Sequence, residues 1–143
     1  MLLARDTNVN NSAGFEDTEQ TIAETPVFNV PDKHLIKVTA CWRSMSSTVA
    51  PDIVTLSITD DKNVHKQEQS HRIDSKNVGQ AGGQMSRVLK VLAQRGDITP
   101  GSHSFRLRAV RANGDGNIVI QADKTFPTEI RVEDLGLIPP HDL

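Results

Sequence analysis

The sequence predicts an all-β protein, an antiparallel β-sandwich of about eight strands. From Thr21 onward, short runs of Val, Ile, Thr and Leu recur about every ten residues, the spacing typical of sandwiches and barrels. Clusters of Pro, Gly, Asn and Asp separate these runs and favour turns between strands. No internal repeat or heptad pattern competes with this interpretation.

The composition fits one domain with a modest core. The chain has 143 residues, of which 36% are hydrophobic and only 3% aromatic. The predicted core is therefore built from Val, Ile, Leu and Ala, with four Phe residues and Trp42. A chain with a modest core often buries further surface against copies of itself or a partner.

Charge and cysteine content argue against several classes of protein. The net charge is -2, from 16 basic and 18 acidic residues, and no basic stripe is present to follow a phosphate backbone. Cys41 is the only cysteine, so neither an intrachain disulfide nor a multi-cysteine zinc site can form. No run approaches ~18 apolar residues. We expect a soluble protein made in the cytoplasm, with no nucleic-acid or membrane partner.

The first 20 residues are polar and rich in Asn, Asp, Ser and Thr. Composition alone fits a disordered tail. The alternative is an extended arm held by a neighbouring chain, with Leu2, Leu3 and Phe15 as its partner-binding anchors. The predicted organisation is an N-terminal arm over 1–20, a β-sandwich domain over 21–136 and a C-terminal tail over 137–143.

The individual strands follow from the apolar runs and the breaks between them. Pro31-Asp32-Lys33 predicts a turn, Pro51 a strand start, and Asp60 to Asn63 a tight hairpin. The segment "MSRVLKVLAQRG" also has helical spacing, but its neighbours favour a strand. Burial of both faces of this strand would indicate a subunit contact. Strands are predicted near 22–29, 34–43, 52–59, 63–72, 85–94, 103–112, 117–124 and 128–134.

The most regular stretch is Gly101 to Gly136. Phe105, Leu107 and Ala109 fall on one face of a strand, and Arg106 and Arg108 on the other. The sequence "NGDG" suits a tight hairpin, and the return strand places Ile118 and Ile120 on one face. Ile130 and Val132 alternate in the next strand. The stretch is predicted to be a β-meander.

Motifs that suggest chemistry have simpler explanations. The turn "GDGN" lacks the acidic spacing of a calcium loop, and Arg95-Gly96-Asp97 fits a strand end before a turn. His65 and His71 lie ~20 Å apart on one strand, too far to share an ion. His34, His103 and His141 have no ligands at chelating spacing, so neither a metal nor another cofactor is expected.

No catalytic residue is predicted. Cys41 has no local base or helix N-terminus to activate it, and is expected to be a small buried residue beside Trp42, a core or interface anchor. Asp60, Asp61, Glu133 and Asp134 sit at predicted turns or strand ends. The expectation is a protein that is not an enzyme.

The stretch "GSHSFRLRAVRANGDGNIVIQADKTFPTEIRVEDLG" resembles a segment at the C-terminal end of tailed-bacteriophage virion proteins. The similar features are Gly101, His103 and Phe105 opening a strand, the two alternating arginines, the Gly-containing turn, Pro127 and the closing "VEDLG". The resemblance implies a jelly-roll-like sandwich, commonly trimeric, with a non-enzymatic structural role.

The resulting hypothesis is a capsid decoration, or cement, protein located in the virion. Its partners are expected to be copies of itself, as a homotrimer, and the major capsid protein or another virion protein, bound through the N-terminal arm. The alternative is a tail-associated or tail-fibre receptor-binding module that uses loops at one end of the sandwich.

Overall fold

A computed structural model describes residues 1–143 and confirms the predicted class, an all-β protein with antiparallel sheets. Its single helical element is a 3-10 turn at Pro140–Asp142. The strands are β1 Leu2–Asn8, β2 Gln20–Glu24, β3 Phe28–Val30, β4 His34–Trp42, β5 Ser44–Ser47, β6 Asp52–Asp60, β7 His65–Ile73, β8 Gly83–Val91, β9 Gly101–His103, β10 Phe105–Asn113, β11 Ile118–Gln121 and β12 Thr128–Leu137.

Eight of these strands form two four-stranded sheets. The first sheet has the order β1-β12-β4-β8, and the second has the order β2-β10-β6-β7. Among these eight, the first along the chain pairs with the last, the second with the seventh, the third with the sixth and the fourth with the fifth. The remaining strands form two short ribbons, β5 with β11 and β3 with β9.

The core lies between the two sheets and follows the predicted alternation. Phe105, Leu107 and Ala109 of β10 are fully buried, while Arg106 and Arg108 point away from the core. Phe28 stacks on Phe105 with 5.9 Å between the ring centroids. The core comprises 26 buried hydrophobic residues and includes Trp42, whose indole N–H donates to the Ala81 carbonyl at 2.8 Å.

Most predicted strands are present, with shifted ends. The predicted strand over 22–29 is two strands, because Pro26 cannot donate to a ladder and Thr25 instead bonds to Phe105 through its backbone N–H (2.9 Å) and hydroxyl (3.0 Å). The segment that also had helical spacing is strand β8. Strand β5, Ser-Met-Ser-Ser, was not predicted, since Met45 is its only apolar residue.

The predicted meander over residues 101–136 is wrong. Ile118–Gln121 pairs with Ser44–Ser47 and not with β10, whose partners are β2 and β6. The cause lies in the turn after β10, where the backbone of Gly116 packs so closely on Ser47 and Asp52 that a Cβ atom would collide with both. This packing directs the chain away from β10 and across to β5.

The N-terminus is part of the sandwich, which corrects the predicted extended arm over 1–20. Leu2–Asn8 forms edge strand β1, with Leu2 opposite Glu133 and Asn8 opposite Thr128. Met1 continues the pairing, because its carbonyl accepts from the Asp134 N–H at 2.7 Å and its ammonium donates to the Asp134 carbonyl at 2.9 Å. The sandwich therefore begins at the first strand and not at residue 21.

The C-terminal residues also pack on the sandwich. Ile138 is buried, and its N–H donates to the Lys33 carbonyl at 2.8 Å. The Lys90 ammonium donates to the Asp142 carbonyl at 3.0 Å. The predicted tail over 137–143 thus begins with the last residue of β12. The residues after it contact the chain just before β4 and near the end of β8.

Candidate functional site

The three predicted anchors occupy different environments. Leu2 is 49% exposed and shares the outer face of the first sheet with Glu133, Lys37 and Val88, which lie in one cross-strand row. Leu3 occupies a bulge in β1 and packs partly against the core. Leu2 is therefore available to a partner, and Leu3 only in part.

Phe15 is not available to a partner while the chain keeps this fold, which corrects its assignment as an anchor. Its side chain is 3% exposed and belongs to the core. Its backbone exchanges hydrogen bonds with Ile118 at 2.9 and 2.8 Å. Polar side chains hold the same segment in place. The Ser12 hydroxyl accepts from the Ile120 N–H of β11, and the Asn11 side-chain oxygen accepts from the Ala122 N–H just after β11.

Exposed apolar side chains gather near the N-terminus. Met1 is the most exposed, and Leu135 and Leu137 lie at the end of β12 beside it. Leu135 is in a second bulge, next to Gly136, whose φ of 97° favours glycine. We call Met1, Leu2 and Leu135 the N-terminal apolar patch.

Four of the five histidines contact carboxylates. His34 Nδ1 lies 2.9 and 3.0 Å from the two Asp134 oxygens. His65 contacts Glu68 at 2.5 Å and Glu19 at 3.3 Å, and the Glu68 hydrogen bond is the main cause that raises the pKa of His65. The other two carboxylate pairs are His103 with Asp61 and His141 with Asp142.

His71 is the exception, because it packs edge-on against Trp42 and burial lowers its pKa. His65 and His71 lie on one strand, as predicted, but a bulge in the β6–β7 pairing puts them on opposite faces of it, His65 opposite Thr59 and His71 opposite Val54. No group of three or more His, Cys, Asp or Glu residues lies close enough to hold a metal ion.

Cys41 is half-buried on the outer face of the first sheet, where a small buried residue was predicted. Its cross-strand neighbours are Glu129 and Gln84. Burial, and next the negative charge of Glu129, raise the pKa of its thiol. This environment favours the thiol form, which is a weak nucleophile.

A buried carboxylate that sequence reasoning missed joins three segments of the chain. Asp52 is 2% exposed and accepts from the Ser47 hydroxyl and from the Gly116 N–H at 3.2 Å. Burial acts to raise its pKa, but the Ser47 hydrogen bond, two backbone N–H groups and the charge of Arg111 outweigh burial and lower it. The short sequences that contain these residues are "SS", "PD" and "GDG", and none of them predicts this contact.

The largest cleft, about 300 Å³, opens at one end of the sandwich between the β6–β7 turn and the segment 92–99. The Arg95-Gly96-Asp97 triplet lines it, and lies in the connection between β8 and β9 where the end of a strand was predicted. The Asp97 carboxylate accepts from the Lys90 N–H at 2.8 Å, so it is held against its own chain.

No family model matches the chain, and no curated protein matches it. The structure contains no helix long and apolar enough to cross a membrane.

Proposed function

We propose that this chain is a non-enzymatic structural protein of a tailed-bacteriophage virion, a capsid decoration protein that binds the assembled shell as a homotrimer. The observation that carries the proposal is the resemblance of residues 101–136 to a segment of such virion proteins. In the structure this segment comprises β9, β10, β11 and most of β12, and so supplies strands to both main sheets.

The strand order supports a jelly roll as the topology behind this function. The first of the eight long strands pairs with the last, and the fourth pairs with the fifth. A long hairpin that folds over into two sheets has this nested pairing. Two Greek keys in eight strands define the jelly roll, which is common in viral capsid proteins. Fold alone does not decide function, so the proposal also needs a contact surface.

The N-terminal apolar patch is the proposed contact with the shell. Leu2 is 49% exposed on the outer face of the first sheet, and Met1 and Leu135, which lie beside it at the β1–β12 edge, are 81% and 50% exposed. Removing apolar side chains from water is the main source of affinity in protein association. A protein that binds only the assembled shell lowers the free energy of the shell relative to its dissociated subunits.

The experiment that tests the proposal measures attachment to particles. Particles that lack the chain are incubated with the purified wild type or with Leu2→Asp, and bound chain is quantified after sedimentation. We expect at least a tenfold loss of attachment. Because Leu2 lies opposite Glu133, the new carboxylate should lower the free energy of unfolding by no more than about 1 kcal/mol, and circular dichroism checks that the variant is folded at the assay temperature. The matched control is Val27→Asp, an exposed valine outside the patch, which should attach as the wild type does.

Wild-type attachment by Leu2→Asp would contradict the proposed surface. Deleting residues 1–20 is a poorer test, because it removes β1 and the buried Phe15 and thus the fold itself. The trimer is tested separately by light scattering, where three copies of the 15.7 kDa chain have a mass of about 47 kDa. A monomer at micromolar concentration in solution would contradict a preformed trimer.

A further inference from the structure

The cleft at the end of the sandwich is lined by both apolar and charged side chains. The apolar ones include the buried Ile98, the partly buried Leu92 and the half-exposed Val64. The charged ones are the cations Lys62, Lys66 and Arg95, the exposed carboxylate Asp97 and the buried carboxylate Asp60. A volume of about 300 Å³ is at the small end of the range for ligand sites, so it suits a single ring or two.

Both carboxylates that line the cleft already accept hydrogen bonds from other groups of the chain. Asp60 accepts the N–H groups of Lys62 at 2.8 Å and Val64 at 2.9 Å, and it lies 3.7 Å from the Lys66 ammonium. Asp97 accepts the Lys90 N–H, and its carbonyl accepts from Lys66 at 2.6 Å. The Lys66 ammonium therefore also has its partners within the chain.

The two remaining cations have no partner. Neither the Lys62 ammonium nor the Arg95 guanidinium makes an ion pair or a side-chain hydrogen bond within the chain. The two charged groups of the cleft that lack a partner are thus both positive, and a bound anion would form ion pairs with them.

The backbone at Arg95 supports a role for its side chain. Its φ is 61°, in the left-handed region that costs a non-glycine residue energy. Gly96 follows directly and would adopt such a φ without that cost. Six non-glycine residues of the chain have a positive φ, and Arg95 is the one among them that lines the cleft.

A peptide is a poor fit for this cleft. Extended peptides bind by adding a strand to a free sheet edge. At this end of β8 the edge is closed, because the Lys90 N–H bonds to Asp97 and the Lys90 carbonyl accepts from the N–H groups of Asp97 (2.9 Å) and Ile98 (3.3 Å).

We propose that the cleft binds an acidic sugar, with its carboxylate between Lys62 and Arg95 and its ring face on Val64 and Leu92. The ring of a uronic acid offers an apolar face to Val64 and Leu92 and one negative charge to the two unpaired cations. This inference rests on the cleft and does not require a virion location.

The test is an NMR titration of the full-length protein with methyl glucuronide, with methyl glucoside as the neutral control. We expect saturable shifts at cleft residues with a Kd of about 1 mM for the glucuronide. The glucoside should bind at least tenfold more weakly. Equal binding of the two sugars, or shifts outside the cleft only, would overturn the proposal.

Two variants and a peptide sharpen the test. Arg95→Gly should lose at least tenfold in affinity and keep or raise the melting temperature, because glycine relieves the positive φ. The matched control is Lys33→Gly, which removes a cation with a φ of 62° outside the cleft and should bind as the wild type does. Unchanged affinity of Arg95→Gly, or an equal loss in Lys33→Gly, overturns the site. Equal affinity for a peptide bearing one Asp side chain overturns the sugar assignment.

Discussion

His103 links two segments at the end of the sandwich through both of its ring nitrogens. Its Nδ1 lies 2.7 Å from an Asp61 carboxylate oxygen, and its Nε2 lies 2.7 Å from the Thr99 carbonyl oxygen. Both partners are hydrogen-bond acceptors. The pair ties the segment before β9 to the β6–β7 turn, and it borders the proposed sugar cleft.

Asp61→Asn should change how stability depends on acid. Burial acts to raise the pKa of Asp61, but the His103 hydrogen bond and backbone N–H groups outweigh it and lower the pKa. The stabilisation is therefore present above the unfolded pKa of about 4 and lost as pH falls through the folded pKa. We expect Asp61→Asn to cost about 1–2 kcal/mol at pH 7 and little at pH 2.

Urea unfolding at the two pH values measures this difference. The control is Asp17→Asn, an exposed residue, which should have no effect at either pH. An equal cost of Asp61→Asn at both pH values would show that the charge of Asp61 is not involved.

Asp52→Asn should destabilise the protein strongly. The carboxylate is buried and accepts from Ser47 and Gly116, and an amide cannot accept at every one of these positions. We expect a loss of about 2–4 kcal/mol in the free energy of unfolding at pH 7. Asp115→Asn, an exposed change in the adjoining turn, is the matched control and should be near neutral. A cost below that of the control would refute the bridging role.

Phe15→Ala tests whether the N-terminal segment belongs to the core. Truncating a buried phenylalanine leaves a cavity, and we expect a loss of about 3–5 kcal/mol in chemical denaturation. Phe126→Ala is the control, since this ring is 58% exposed and contacts only the Arg43 guanidinium at 5.9 Å among charged groups. Its cost should stay below about 1 kcal/mol. Similar values for both variants would mean that residues 1–20 are a free arm.

Cys41 should react slowly with alkylating reagents. Burial and the Glu129 charge raise the pKa of the thiol, so the thiolate forms only at higher pH than in a free cysteine. The rate of iodoacetamide alkylation as a function of pH should have its midpoint above that of a model thiol. Glu129→Gln should move the midpoint down, and a midpoint at or below the model value would contradict this environment.

The buried and exposed faces of the strands were predictable because apolar and polar residues alternate within each short run. Phe105, Leu107 and Ala109 are buried as the pattern indicates. Strand partners were not predictable in the same way, since β11 pairs with β5, which lies over 70 residues earlier. Phe15 was misassigned because the polar residues around it, such as Ser12, bond to the backbone of β11 and not to water.

The candidate sites depend on contacts between distant segments. Lys62 and Arg95 lie in turns that are 33 positions apart in the sequence, and only the packing of β6–β7 beside the segment 92–99 brings them to one cleft. Leu2 was predictable as an apolar point in a polar stretch, but its position on the outer face of a sheet follows from the β1–β12 pairing.

The copy number of the chain in purified virions tests the proposed function most directly. Quantitative mass spectrometry compares peptides of this chain with those of the major capsid protein. A decoration protein is predicted at on the order of hundreds of copies per particle, in a fixed ratio to the capsid protein. A few copies per particle would assign the chain to the tail, and its absence from purified particles would contradict a virion role altogether.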